Sequence, residues 1–246
     1  MTLPSHEGRR VPEVGFHVRD NNEWKTVTSK DIFAGKTVVV FSLPGAFTPT
    51  CSSSHLPRYN ELGPAFFASG VDEIVCISVN DSFVMDEWAK DQESQNVRLI
   101  PDGNGEFTEQ IGMLVDKSDL GFGKRSWRYS MLVRDGVIIK QFIEPEKPGD
   151  PFEVSDADTM LHFINPQAKK PDQVAIFTRE GCGFCARAKA RLTDLGYDYV
   201  EIPLAHQIRS KVIGAVTGQQ TVPQVFINGQ YIGDAEALEH WARKAA

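Results

Sequence analysis

Two hydrophobic periods alternate along this chain. Lys36-Thr37-Val38-Val39-Val40-Phe41-Ser42-Leu43 is a β-branched run that stops at Pro44-Gly45, and Asp72-Glu73-Ile74-Val75-Cys76-Ile77-Ser78-Val79 is a second. Continuous apolar runs of this kind predict central strands covered on both faces. Between them, residues 52–69 have helical spacing interrupted by Pro57 and Pro64. Residues 82–93 form a cleaner helix, with Phe83, Trp88 and Ala89 as its apolar positions. The order strand, helix, strand, helix implies right-handed crossovers and an α/β sheet. Further on, Tyr129-Ser130-Met131-Leu132-Val133 and Val137-Ile138-Ile139-Lys140-Gln141-Phe142 flank Arg134-Asp135-Gly136, whose Asp-Gly pair predicts a hairpin turn.

The stretch from Glu144 to Pro151 is rich in proline and reads as a rigid loop, and Ser155 opens a helix that runs through Phe163 with acidic residues near its start. Periodicity then breaks over Asn165 to Asp172. The division that follows is a first domain at 1–165, a linker at 166–172 and a second domain at 173–246. In the second, Gln173–Thr178 reads as a strand, Cys182–Leu195 as a helix ended by Gly196, and Tyr197–Leu204 as another strand. Val222–Ile227 and Gln230–Ile232 follow, joined by Asn228-Gly229, and a last helix starts at Asp234. The order β-α-β-(α)-β-β-α is thioredoxin-like. The expected fold class is therefore α/β, two thioredoxin-like domains in tandem with central mixed sheets flanked by helices.

Composition narrows the function classes. With 41% hydrophobic and 24% charged residues the chain reads as soluble and globular, and a net charge of −7 without a basic block argues against nucleic acid or an anionic membrane as partner. Met1 to Arg10 lacks the apolar stretch of about seven residues that a secretory signal needs, and no apolar run of about 18 residues occurs, so the expected location is cytoplasmic. Four cysteines in 246 residues are too few for a disulfide framework. In a reducing compartment they are catalytic, metal-binding or simply buried, and each is judged by itself.

Cys51 follows a strand and a Pro-Gly turn, at a predicted helix start. There the helix dipole and free backbone N–H groups favour a thiolate. Thr48 sits three residues earlier, and Pro44 and Pro49 would fix the loop and shield the sulfur. Such a site suits a small oxygen-bearing substrate. The spacing Pro-x-x-x-Thr-x-x-Cys in Pro44-Gly45-Ala46-Phe47-Thr48-Pro49-Thr50-Cys51, with His55-Leu56-Pro57, resembles the active-site loop of peroxiredoxins, in particular the peroxiredoxin-5 type. The resemblance extends from about Val11 to Phe163 and takes in Arg125-Ser126-Trp127-Arg128-Tyr129-Ser130-Met131. It implies that Cys51 is the peroxidatic nucleophile and that Thr48 hydrogen-bonds thiolate and peroxide. It further implies that Gly45 and Cys51 supply backbone N–H groups and that Arg128 adds a guanidinium. Attack on an O–O bond develops charge on both oxygens, which fixed donors stabilise.

His55, one turn on, either borders this pocket or is a polar surface or packing residue. Cys76 alternates with Val75 and Ile77 in an apolar strand, where a small hydrophobe is the plain expectation, with a resolving partner for Cys51 as the alternative. No cysteine lies between Cys76 and Cys182, so a resolving thiol has to come from elsewhere.

Cys182-Gly183-Phe184-Cys185 puts two sulfurs at the first turn of a helix, the leading one exposed and activated. Zinc sites use the same spacing, but a structural zinc wants four ligands and no second pair lies nearby, so no metal is expected. With Phe177-Thr178-Arg179 before it and Thr221-Val222-Pro223-Gln224-Val225-Phe226-Ile227 after it, the segment from Gln173 onward resembles glutaredoxins. By that resemblance Pro223 is cis beside the active sulfur. Thr221 and Val222 offer a strand edge to glutathione, and Arg179 faces its glycyl carboxylate. Asp234 stands where the family often has glycine.

The combination implies a fused peroxiredoxin/glutaredoxin that reduces hydrogen peroxide and alkyl hydroperoxides, with no bound cofactor, glutathione as reducing co-substrate and a homo-oligomeric state. The alternative is a peroxide sensor, or an iron–sulfur or redox-signalling module, without sustained turnover.

Overall fold

Val38 to Ser42 are all buried in the computed structural model, as befits a strand with neighbours on both edges and side-chain layers on both faces. The structure describes residues 3–21, 23–205, 208 and 210–245; Met1 and Thr2, the start of the stretch read for a leader, lie outside them. It divides into two compact units, Met1–Lys170 and Pro171–Ala246.

The first unit begins with an antiparallel hairpin of β1 (Gly15–Asp20) and β2 (Glu23–Thr28), then α1 (Ser29–Phe33) and β3 (Thr37–Ser42). After β3 come α2 (Leu56–Glu61), α3 (Gly63–Ala68), β4 (Glu73–Ser78), α4 (Ser82–Asp91), β5 (Arg98–Pro101) and α5 (Glu106–Gln110). A small hairpin of β6 (Leu114–Asp116) and β7 (Lys124–Ser126) precedes β8 (Tyr129–Arg134), β9 (Val137–Ile143) and α6 (Ala157–Ile164).

The five-stranded sheet has the order β5-β4-β3-β8-β9, parallel through β5, β4 and β3 and antiparallel from β3 onward. The period of two sends alternate residues of β3 to opposite faces. Val39 and Phe41 pack with Leu56, Tyr59, Trp88 and Leu161. Val38 and Val40 pack with Phe33, Phe107 and Met131. The β8–β9 hairpin turns at Asp135 and Gly136, with φ of 45° and 74°. Two successive left-handed residues favour the Asp-Gly pair that the sequence supplies.

Three elements differ from the sequence expectation. Pro57 and Pro64 are the second residues of α2 and α3, in the first turn where a missing N–H costs nothing, rather than interruptions of one helix. Phe83 is 58% exposed, because α4 buries Met85 and Trp88 instead. The β1–β2 hairpin carries almost no apolar signal, since β2 has no fully buried residue and β1 anchors through Phe16, whose ring meets Phe107 at 5.7 Å.

The second unit repeats the same logic on a smaller scale. Its elements are β10 (Val174–Thr178), α7 (Gly183–Asp194), β11 (Val200–Pro203), α8 (Ser210–Thr217), β12 (Gln224–Ile227), β13 (Gln230–Gly233) and α9 (Ala235–Ala245). The sheet order is β11-β10-β12-β13, with β10 and β11 parallel and the others antiparallel. The predicted strand from Tyr197 shrinks to Val200–Pro203, because Tyr197 turns away to pack its ring against Trp241 of α9. Both units thus place a parallel β-α-β unit beside an antiparallel hairpin, a thioredoxin-like α/β arrangement.

Candidate active sites

In the first unit the loop after β3 delivers Cys51. Helical residues begin at Pro49, and the Thr48 carbonyl accepts from the Ser52 N–H at 3.0 Å. From there a π turn, Cys51–His55, leads into α2. Such wide turns are rare and concentrate at functional sites. Phe47, just before, holds φ at 60° and is half exposed, a left-handed conformation that costs energy in a residue with a Cβ. The Ala46 N–H reaches Asn80 Oδ1 at 3.1 Å, which ties the loop to the end of β4. Thr48 Oγ1 donates to the Gly45 carbonyl at 2.9 Å, so its proton is spent there instead of on the sulfur, and its lone pairs remain for accepting. Pro44 is half-buried at the head of the loop.

Cys51 is fully buried, and the group that meets it is Arg128, which is 1% exposed. Arg128 Nη1 donates to Cys51 Sγ at 3.6 Å and to His55 Nδ1 at 3.0 Å, while Nη2 donates to Asp150. His55 Nε2 lies 3.2 Å from the Ser155 carbonyl, which can only accept, so the ring proton sits on Nε2 and Nδ1 is free to take the Arg128 proton. Burial, and then the Arg128 charge, lower the His55 pKa to about 3, so the ring is neutral at physiological pH. His55 is therefore a buried brace for Arg128, not a surface residue. Cys76 belongs to the same apolar cluster as Cys51. Burial and the nearness of Cys51 push its thiol well above the ordinary value, which suits a packing role.

Behind Arg128 stands a residue that sequence reasoning missed. Glu144, 1% exposed, accepts from the backbone N–H groups of Glu153, Val154 and Ser155 at 2.8–2.9 Å and from Ser155 Oγ at 2.8 Å. It clamps the loop that carries Asp150, Phe152 and Ser155 across Arg128 and His55. The Phe152 ring lies 4.9 Å from His55 and 5.4 Å from the guanidinium. A concavity of about 800 Å³ at Arg10, Lys30 and Asp135 lies at the opposite end of β3 from this site and contains none of its residues.

In the second unit Cys182 caps α7 and Cys185 lies one turn inside it. Cys185 is buried and Cys182 half-buried. Burial of the Cys182 sulfur opposes ionisation. Hydrogen bonds from the Cys185 thiol, from the Cys185 N–H at 3.3 Å and from the Phe184 N–H, with the charge of Arg179, outweigh it and bring this thiol below the ordinary value. Burial, and the hydrogen bond it gives to Cys182, push Cys185 up to about 11. Cys182 is thus the more readily ionised thiol of the pair.

A pocket of about 490 Å³ opens beside it, lined by Arg179, Cys182, Thr221, Val222, Pro223 and Asp234. The Val222–Pro223 bond is cis, and the Val222 carbonyl lies 3.9 Å from the Cys182 sulfur. Asp234 Oδ1 accepts from the N–H groups of Glu236 and Ala237 at 3.0 and 2.9 Å, so the residue found in place of glycine caps α9. Arg187, which the sequence reading passed over, also lines the pocket and lies 5.4 Å above the ring of Phe184. Its spacing of two residues beyond Cys185 was the available signal.

Comparison with known proteins matches the Redoxin family to residues 6–161 and the Glutaredoxin family to residues 174–232. Hybrid peroxiredoxin hyPrx5 of Haemophilus influenzae is 58% identical over 239 residues, 97% of this chain and 99% of that protein. Peroxiredoxin sll1621 of Synechocystis is 59% identical over 168 residues, 63% of this chain and 89% of its own. Among solved structures, reduced Prx3 from Vibrio vulnificus in complex with H2O2 superposes with a TM-score of 0.61 at 38% identity, covering 64% of this chain and 98% of that one.

Proposed function

Since the chain belongs to the peroxiredoxin family, with a glutaredoxin domain on the same polypeptide, we propose that it is a glutathione-dependent peroxidase in which Cys51 reduces the peroxide and Cys182 recycles it. The observation that carries the reading is the Arg128 guanidinium, buried beside Cys51 and fixed by His55 and Asp150.

The Cys51 sulfur attacks one oxygen of hydrogen peroxide or an alkyl hydroperoxide, the O–O bond breaks, and water or an alcohol leaves with one proton. Cys51 is left as sulfenic acid. Arg128 holds charge as it develops, and Thr48, its own proton committed to Gly45, accepts from the peroxide O–H. Glutathione then supplies the missing resolving thiol, condensing with the sulfenic acid to a mixed disulfide with loss of water. Cys182 attacks the glutathionyl sulfur and frees Cys51, and a second glutathione frees Cys182 as oxidised glutathione. The pocket at Arg179, Thr221 and Val222 offers a cation and, in place of the expected strand edge, the backbone of the bend that precedes β12 for the glutathione backbone and its carboxylate.

The test is to trap the mixed disulfide. With Cys182→Ser, one equivalent of hydrogen peroxide and then glutathione, intact-mass analysis is expected to find one glutathionyl group on Cys51. Sulfenic acid that persists beside excess glutathione would overturn the glutathione step.

A further inference from the structure

We propose that Asp150 is a positioning residue for the peroxide reaction, acting through Arg128. This rests on the reading of Cys51 as the peroxide-reducing group. A guanidinium has five N–H donors in one rigid plane, so its orientation is fixed only when contacts pin more than one nitrogen. On Arg128, Nη1 is held between Cys51 Sγ and His55 Nδ1, and both contacts lie on the same nitrogen. They leave the plane free to rock about Nη1. Asp150 supplies the second point by accepting from Nη2. Nε has no protein partner among the described residues, so no third nitrogen shares this duty.

Charge points the same way. Arg128 is 1% exposed, and a guanidinium buried to that degree needs an anion. His55 offers only a neutral ring nitrogen, and Glu144 spends both oxygens on the 153–155 backbone and Ser155. A sulfenic acid at Cys51 offers Arg128 no anion, and Asp150 is the only carboxylate in hydrogen-bond contact with Arg128 among the described residues. Asp150 therefore keeps the guanidinium in place through the stage at which its sulfur partner is neutral. Phe152, against both His55 and the guanidinium, closes the same loop over the site, and Glu144 holds that loop from beneath.

The experiment compares two reactions of Cys51 in the full chain, with Cys182 and Cys185 replaced by Ser in every sample. One is oxidation by hydrogen peroxide, whose transition state needs a donor aimed at the departing oxygen. The other is alkylation by iodoacetamide, which needs only an accessible thiolate. For Asp150→Ala, peroxide oxidation is expected to slow at least tenfold while alkylation stays within about threefold of the parent. Asp150→Asn keeps an acceptor for Nη2 without the charge and is expected to fall between the parent and Asp150→Ala.

An Asp150→Ala variant that reacts with peroxide as fast as its parent overturns the proposal. So does a parallel fall in both reactions, which marks a general structural lesion. An Asn variant as slow as Ala also overturns it, since the acceptor kept at Nη2 would then place nothing. If the parent itself fails to react with peroxide at Cys51, the reading of Cys51 fails, and that outcome is distinct from all of these.

Discussion

Arg128 sets the behaviour of the first site at the scale of single residues, because one buried guanidinium joins the sulfur, a neutral histidine and a carboxylate. Removing a fixed donor of this kind costs about 10²-fold or more in rate. Arg128→Ala is expected to slow peroxide oxidation of Cys51 by that order, measured by stopped-flow. Arg128→Lys should recover little, since an ammonium cannot span Cys51, His55 and Asp150 in one plane. In the second site the two thiols are split in opposite directions. A thiolate forms as pH rises through its pKa, so Cys182, lowered, is alkylated at lower pH than an ordinary thiol, and Cys185 follows only as pH approaches about 11. Arg179→Gln removes a stabilising cation and should move the Cys182 profile upward. Rates of iodoacetamide labelling against pH, read by peptide mass, check both, and parallel labelling of the two cysteines would contradict the split. Cys51, Thr48 and Arg128 were legible in the sequence because they fall in local patterns. Asp150 was not, since it lies 22 residues from Arg128 and only the loop path brings it back.

At the scale of elements, the loop between β9 and α6 does more than its proline content suggested. The Glu144 carboxylate takes three backbone N–H groups and a hydroxyl in a buried setting. Glu144→Gln replaces one acceptor oxygen by a donor that faces N–H groups, which leaves buried donors unpaired at a cost of about 1–3 kcal/mol. Urea unfolding is expected to show that loss, and peroxide oxidation of Cys51 should slow as Ser155 and Asp150 lose their places. Unchanged stability would mean that the clamp contributes nothing. The central strands were readable because burial on both faces leaves a continuous apolar run, as in Val38 to Phe41. The β1–β2 hairpin was not, because Phe16 is the one fully buried residue of its two strands and most of β2 faces water. Pro57 and Pro64 misled for a related reason: a proline reads as a break in a periodic pattern, yet at a helix start it is a beginning.

The whole molecule joins two units of one topology, each offering a cysteine from the loop that follows its first central strand. Tethering a reductase to its substrate replaces a bimolecular encounter by an effective concentration that reaches about the millimolar range for short linkers. Cys185 has no part in the monothiol route, so Cys185→Ser is expected to keep most peroxidase turnover, and near-complete loss would point to a dithiol cycle. The proposed activity turns on the relay between Cys51 and Cys182. Its most direct test is NADPH oxidation with hydrogen peroxide, glutathione and glutathione reductase, for the native chain, Cys51→Ser and Cys182→Ser. Catalytic turnover in the native chain that is lost in both variants is the predicted result; turnover that survives in Cys182→Ser, or is absent from the native chain, would contradict it.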